Sequence, residues 1–146
     1  MLIKAAMRSA DVGRLADEMA RLEAGGIDAL HFDVMDGHFV PEICMGPGFI
    51  RGLRPHTRLP FEVHLLVARP DGCVEQYLDA GAETVLIHIE TAADPAGTLA
   101  RIRGRGGRCG LALAPETAAE AVAPWLAACD VVNVMTVTPG KPGTLQ

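Results

Sequence analysis

Short apolar runs alternate with amphipathic stretches along this chain, and this alternation limits its possible folds more than any other feature. Six apolar runs occur, at residues 2–7, 29–34, 61–67, 84–89, 109–113 and 131–137. Their starts lie roughly 22 to 32 residues apart, which is enough for one strand and one returning helix. Short runs that are almost wholly apolar are typical of parallel strands covered on both faces. The sequence therefore predicts an α/β fold built on a parallel sheet.

Stretches with helical spacing separate the predicted strands. We expect helices over residues 11–23, from Pro70 to just before Gly81, from Asp94 onward, and over the alanine-rich residues 117–129. A weaker helical pattern covers residues 46–53. Asp94 and Pro95 suit the N-cap and the first turn of a helix. Periodicity does not give the order of strands in a sheet, so a doubly wound sheet and a barrel both remain open.

Length and composition favour one globular domain over residues 1–146 that resides in the cytoplasm. The net charge is -5, which gives no reason to expect nucleic acid or an anionic membrane as a partner. No apolar run approaches the roughly 18 residues that span a bilayer, and the apolar start is too short for a signal peptide. The four cysteines form no CxxC pair, so we expect plain thiols, not a zinc site or disulfides.

Two histidines and an aspartate form a candidate metal site. Side chains alternate along a strand, so His31 and Asp33 share one face of the second predicted strand. His64 falls near the end of the third apolar run, on the same face as Glu62. The carboxyl ends of parallel strands are where α/β folds place their sites, and His88 could line the same mouth. Imidazole and carboxylate together suit a divalent cation.

Several segments, in order, resemble the ribulose-phosphate 3-epimerase family. The most specific is HFDVMDGHFVP at residues 31–41, which resembles the second-strand signature of that family. Residues 61–66, 88–90, 110–115 and 134–140 resemble the family's third to sixth strand segments. The resemblance implies a (β/α)8 TIM barrel, of which about six βα units are present here, with the barrel truncated after the sixth strand.

The resemblance also implies an activity and a set of site residues. The family interconverts D-ribulose 5-phosphate and D-xylulose 5-phosphate by inverting C3. Its metal site resembles His31, Asp33 and His64, and zinc, iron(II), manganese or cobalt could occupy it. Asp33 corresponds to a catalytic acid–base group. The substrate-binding positions correspond to His64 and to the following residues: Met35, Met135, Gly140, Lys141, Pro142 and Gly143.

The chemistry explains why such residues are needed. The C3 proton is weakly acidic, so a divalent cation near the C2 oxygen would stabilise the enediolate left by its removal. Inversion then requires a proton delivered to the opposite face, and therefore two acid–base groups. The family's second aspartate belongs to a seventh strand that this sequence lacks. Glu62 or Glu90 could stand in, although nothing in the sequence places either on the correct face.

Other positions depart from the family pattern. Ala6 stands where the family has a serine, with Ser9 nearby, and Leu66 stands where a methionine is usual. Six strands would leave two open sheet edges, so we expect a longer natural protein, a homo-oligomer or a remodelled sheet.

The leading interpretation is a metal-dependent ketose-phosphate epimerase. The alternative is a catalytically impaired, truncated barrel that binds metal or sugar phosphate without turnover, or serves only in assembly. A decarboxylase or aldolase of a related barrel is disfavoured, because the stretch 31–37 contains no lysine.

Overall fold

The structure of the protein is a computed structural model, and it describes residues 1–141. One sheet dominates it, and six parallel strands run across that sheet in the order β1-β2-β4-β5-β6-β7. The strands span Lys4–Ala6 (β1), Ala29–Asp36 (β2), Ile43–Cys44 (β3), Phe61–Leu66 (β4), Thr84–His88 (β5), Arg108–Leu113 (β6) and Val131–Val134 (β7). The short β3 pairs antiparallel with the end of β2 and was not expected from the sequence.

Helices connect the parallel strands as the periodicity predicts. They span Leu15–Ala24 (α1), Pro47–Leu53 (α2), Val74–Asp79 (α3) and Pro95–Gly104 (α4). Short 3-10 turns precede α1 and α3, at Val12–Arg14 and Pro70–Gly72. Asp94 caps α4 as expected, because its carboxylate accepts a hydrogen bond from the backbone N–H of Gly97 at 3.0 Å.

The predicted helix over residues 117–129 is wrong. This segment forms two 3-10 helices, Ala119–Ala121 and Ala123–Ala128. Pro124 has no N–H to bond the carbonyl four residues earlier, and its ring clashes with that carbonyl in an α-helix. Val122 is the only buried apolar side chain between residues 117 and 129. The high helix propensity of alanine is therefore outweighed here by the proline and by too little buried apolar surface to stabilise a regular helix.

The two faces of the sheet differ in chemistry. One face carries Phe32 and Phe61, whose ring centroids lie 4.6 Å apart, and it packs against the helices as the main core. The other face carries the polar residues of β2 and β4, because side chains alternate along a strand. This arrangement of parallel strands and covering helices is that of a partial (β/α)8 barrel, so the predicted fold class is confirmed.

The length of each strand determines where its polar residues lie along it. The second strand continues to Asp36, two residues beyond the predicted end, so its polar positions lie inside the strand and not at its tip. β1 and β7 are shorter than predicted, and they form the two edges of the sheet among residues 1–141. No helix in the described part of the chain is long and apolar enough to cross a membrane.

Candidate metal centre

His31, Asp33 and His64 converge on one point, as the sequence predicts. Each offers one ligand atom, and these atoms all lie within 4.8 Å of one another. The register of the sheet causes this, because Asp33 on β2 lies directly beside His64 on β4. Asp33 Oδ1 lies 3.1 Å from His31 Nε2 and 3.1 Å from His64 Nδ1. The carboxylate is therefore shared between two imidazoles.

A buried carboxylate holds the far side of the His31 ring. Glu62 Oε1 lies 2.9 Å from His31 Nδ1, and its other oxygen accepts a bond from Lys4 Nζ. The Glu62 side chain is only 6% exposed. Because the carboxylate accepts at Nδ1, the lone pair of a neutral His31 ring faces Asp33 from Nε2. Glu62 thereby orients His31 toward the shared point.

The remaining histidines separate into one buried residue and two exposed ones. His88, at the end of β5, is fully buried, and its ring stacks on that of His64 with centroids 5.0 Å apart. His88 therefore contacts the site through His64 and has no exposed surface with which to line its mouth. His38 and His56 lie in loops and are exposed.

Burial and hydrogen bonding act in opposite directions on the acid–base groups of the cluster. Burial lowers the pKa of His31, but hydrogen bonds to Asp33 and Glu62 outweigh it and raise that pKa to about 9. Burial raises the pKa of Asp33, but hydrogen bonds with His31 and His64 hold it well below its usual range. Burial dominates at His64 and lowers its pKa. The cluster thus contains an ionised carboxylate beside a cationic and a neutral imidazole.

The donor set fits a divalent cation. Two ring nitrogens and a carboxylate oxygen face one point, and each would repel the others if no proton or ion lay between them. In the metal-free chain the His31 proton fills that role at its contact with Asp33. A cation would replace the proton, as metal ligands must be deprotonated. Nitrogen and oxygen ligands of this kind suit zinc, iron(II), manganese and cobalt.

A cavity of about 390 Å³ opens beside the cluster. Asp33 lines it, together with four of the residues predicted to bind substrate: Met35, Met135, Gly140 and Lys141. Met35 also packs with Leu66, Val40 and Met135 in a small apolar cluster. Pro142 and Gly143, the other two predicted positions of that loop, lie outside the described residues. His64, the remaining predicted substrate-binding residue, is not among the residues that line this cavity and is almost fully buried.

The structure adds a residue that sequence reasoning missed. Arg8 lines the cavity, and its guanidinium bonds Glu42 at 2.5 Å and the carbonyl of Gly140 at 3.0 Å. No pattern around Arg8 indicates this role, because the contacts come from residues far along the chain. Ala6 and Ser9 also line the cavity. Within residues 1–141, neither Glu62 nor Glu90 does, so neither occupies the position of a second acid–base group.

The fold and the cluster define a (β/α)-barrel protein with a candidate divalent-metal site on its polar sheet face. The profile of the "Ribulose-phosphate 3 epimerase family" matches residues 2–145. The chain belongs to that family, and the resemblance expected from the motifs is confirmed.

Relatives named ribulose-phosphate 3-epimerase extend over nearly the whole chain. The protein of Treponema pallidum is 44% identical over 92% of this chain and 62% of its own length. That of Bacillus subtilis is 38% identical over the same shares, 92% and 62%. That of Rhodobacter capsulatus is 41% identical, over 92% of this chain and 59% of its own length. The chain thus spans about three fifths of the length of these curated relatives.

Solved structures at low sequence identity share the fold. The α subunit of tryptophan synthase from Legionella pneumophila superposes with a TM-score of 0.58 at 12% identity, over 90% of this chain and 60% of its own. A Yersinia pestis DHPS gives 0.57 at 10% identity, over 87% and 54%. At these identities the likeness supports the barrel fold alone.

Proposed function

We propose that this chain carries the metal-binding part of a ribulose-phosphate 3-epimerase site, which interconverts D-ribulose 5-phosphate and D-xylulose 5-phosphate. The observation that carries the proposal is the convergence of His31, Asp33 and His64 beside a cavity, in a chain of this family. The substrate is a ketose phosphate, and a divalent cation is the cofactor.

The metal-binding cluster and several residues of the cavity each have a task in that reaction. A cation held by His31, Asp33 and His64 would stabilise the negative charge that develops on the substrate when the C3 proton leaves. Asp33 is ionised and lines the cavity, so its carboxylate can accept that proton. Met35 and Met135 provide an apolar wall that excludes water from the reacting carbons.

Two cationic side chains that line the cavity suit the phosphate. Arg8 and Lys141 both line it, and Lys141 follows Gly140, whose φ of 78° is readily adopted only by glycine. The Arg8 guanidinium already holds the Gly140 carbonyl, so it also fixes the end of this segment. Guanidinium and ammonium groups are the side chains that proteins use for phosphate.

A second candidate is binding without turnover. Among residues 1–141, Asp33 is the acidic residue that lines the cavity, whereas inversion at C3 requires a second acid–base group. Loss of one such group typically costs on the order of 10²–10⁴-fold in rate. A chain with Asp33 alone would remove and return the proton on one face, and so bind and exchange without epimerising.

We also propose that the chain self-associates. Among the described residues β1 and β7 each pair on one side only, and open strand edges favour pairing with another chain. Light scattering on the purified protein tests this, and a monomer at micromolar concentration would contradict it.

Proton exchange at C3 separates the two candidates. D-ribulose 5-phosphate is incubated with the chain in D2O, with and without Zn²⁺ or Mn²⁺, and followed by ¹H NMR. Metal-dependent exchange together with D-xylulose 5-phosphate supports the epimerase. Exchange with no xylulose product supports the impaired site. No exchange above an Asp33→Asn control with any added metal would contradict catalysis by this chain.

A further inference from the structure

A hydrogen bond joins two buried histidines that lie on different strands. His64 Nε2 lies 3.0 Å from His88 Nε2, and the two rings are only 20° from parallel. Both residues are almost completely inaccessible, at 1% and 0% exposure. A nitrogen–nitrogen hydrogen bond requires one donor and one acceptor, so the two rings cannot have the same tautomer at this contact.

Glu90 decides which ring donates. Its Oε2 lies 2.7 Å from His88 Nδ1, and an ionised carboxylate can only accept. Glu90 Oε1 is occupied by two further donors, the N–H of Ala114 at 2.7 Å and the hydroxyl of Thr117 at 2.5 Å. His88 therefore carries its hydrogen on Nδ1, and in the neutral ring Nε2 is an acceptor.

The direction of this hydrogen bond affects which nitrogen of His64 carries hydrogen. Because His88 Nε2 accepts, a neutral His64 donates from Nε2 and has a lone pair on Nδ1. The ionised Asp33 carboxylate also only accepts, so in the metal-free chain it competes for a hydrogen on Nδ1. Its contact with His64, at 3.1 Å, is longer than that of Glu90 with His88, at 2.7 Å, and a cation between Asp33 and Nδ1 removes the competition. That Nδ1 is the atom 3.1 Å from Asp33 Oδ1, at the point shared with His31. The opposite polarity would place an N–H on Nδ1, which then binds Asp33 as a donor and is lost as a metal ligand.

We propose that His88 and Glu90 are positioning residues that select the tautomer of His64 and so prepare Nδ1 to bind a cation. Glu62 has the same relation to His31, but on the opposite side of the site and through a single bond. The inference deepens the proposed metal site and rests on it. Hydrogen-bonding partners of metal-binding histidines fix the tautomer and the ring orientation in this way.

The tautomers can be read directly in the chain loaded with Zn²⁺, in which the cation replaces any hydrogen between Asp33 and His64 Nδ1. Two-bond ¹H–¹⁵N NMR spectra of the ¹⁵N-labelled protein distinguish a ring nitrogen that bears hydrogen from one that does not. We expect His64 with hydrogen on Nε2 and none on Nδ1, and His88 with the reverse. The His64 signals are assigned by their loss in His64→Asn. Hydrogen on Nδ1 of His64, or on Nε2 of His88, would overturn the proposal, and His64→Asn has to fold only for the assignment.

A substitution tests the consequence for metal binding. His88→Phe keeps an aromatic ring beside Phe39, whose centroid lies 4.9 Å from that of His88, but removes the acceptor. We expect Zn²⁺ affinity to fall about 10–100-fold and His64 to gain a population with hydrogen on Nδ1. Thr117→Ala is the matched control, because it removes a hydrogen bond to Glu90 and leaves the His88 contact in place.

The outcomes separate this inference from the proposed function. Wild-type Zn²⁺ affinity in a folded His88→Phe variant would contradict it, and so would an equal loss in Thr117→Ala. If His88→Phe does not fold, the wild-type tautomers decide the matter alone. Both readouts use Zn²⁺ alone, so a chain that binds Zn²⁺ without epimerase activity can still show the predicted tautomers.

Discussion

Replacing Glu62 by glutamine should weaken metal binding without removing any metal ligand. Glu62 is nearly isosteric with glutamine, and its side chain is only 6% exposed. The carboxylate accepts from His31 Nδ1 at 2.9 Å and from Lys4 Nζ. Glutamine can accept one of these bonds through its oxygen, but its amide group then faces the other donor. Either the His31 ring or the Lys4 ammonium loses its partner.

The size of the effect follows from that loss. Charge-assisted hydrogen bonds are roughly twice as strong as neutral ones, and Glu62 makes two contacts of this type. Removing a carboxylate that orients a metal-binding histidine typically lowers metal affinity about 10–100-fold. At about 1.4 kcal/mol per factor of ten, this corresponds to roughly 1.4–2.8 kcal/mol of binding free energy.

A competition titration measures the change. Zn²⁺ is shared between the protein and a chromophoric chelator, and the dissociation constant is obtained for the wild type and Glu62→Gln. The matched control is Glu75→Gln, which makes the same chemical change at a partly exposed ion pair with Arg101. Exposed ion pairs contribute little, so this control should bind Zn²⁺ as the wild type does.

Circular dichroism first establishes that both variants are folded. If folded Glu62→Gln binds Zn²⁺ as tightly as the wild type, the orienting role assigned to Glu62 is wrong. An equal loss in Glu75→Gln would trace the effect to net charge.

Three further predictions concern catalysis, packing and pH. Asp33→Asn should abolish C3 proton exchange, measured by NMR in D2O, while the thermal unfolding curve stays close to that of the wild type; retained exchange would remove Asp33 from the mechanism. Gly110→Ala should lower the free energy of unfolding by about 1–3 kcal/mol or more, because its Cβ would lie 2.3 Å from the Val131 carbonyl. Gly52→Ala is its control in urea unfolding and should be neutral or stabilising, since nothing lies within 4 Å of the added carbon. The backbone N–H of Cys109 holds the pKa of Asp130 below its usual range, so Asp130 stabilises the fold above its ordinary pKa of about 4 and loses that effect as the pH falls. Asp130→Ala should therefore cost about 1 kcal/mol at pH 7, and the deficit should shrink in urea titrations under acid.

The sequence predicted the elements of the sheet well because each strand is a separate apolar run. The two-residue period also placed His31 and Asp33 on one face. It could not place Asp33 beside His64, because lateral register depends on pairing between strands that are 31 residues apart in sequence. The strand ends suggested that the three residues lie near one another, but only the register brings Asp33 directly beside His64.

No sequence pattern indicates which nitrogen of a histidine donates a hydrogen bond and which accepts one. His88 ends β5, and Glu90 lies two residues further on, in the turn that follows the strand. Their effect depends on the contact between His64 Nε2 and His88 Nε2, which the packing of β4 against β5 creates. The sequence around Arg8 does not indicate its contacts either, because its partners Glu42 and Gly140 lie in distant loops.

The helix predicted over residues 117–129 fails for a reason visible in the sequence. Alanine has the highest helix propensity, but Pro124 lies in the interior of the segment, where proline costs about 3 kcal/mol. The apolar pattern also provides no continuous stripe to bury. Propensity without a buried face did not suffice here.

Anomalous scattering from crystals grown with Zn²⁺ tests the central claim most directly. The account predicts one strong zinc peak, about 2.0–2.2 Å from His31 Nε2, an Asp33 carboxylate oxygen and His64 Nδ1. A zinc ion bound elsewhere, or approached by Nε2 of His64 in place of Nδ1, would contradict it.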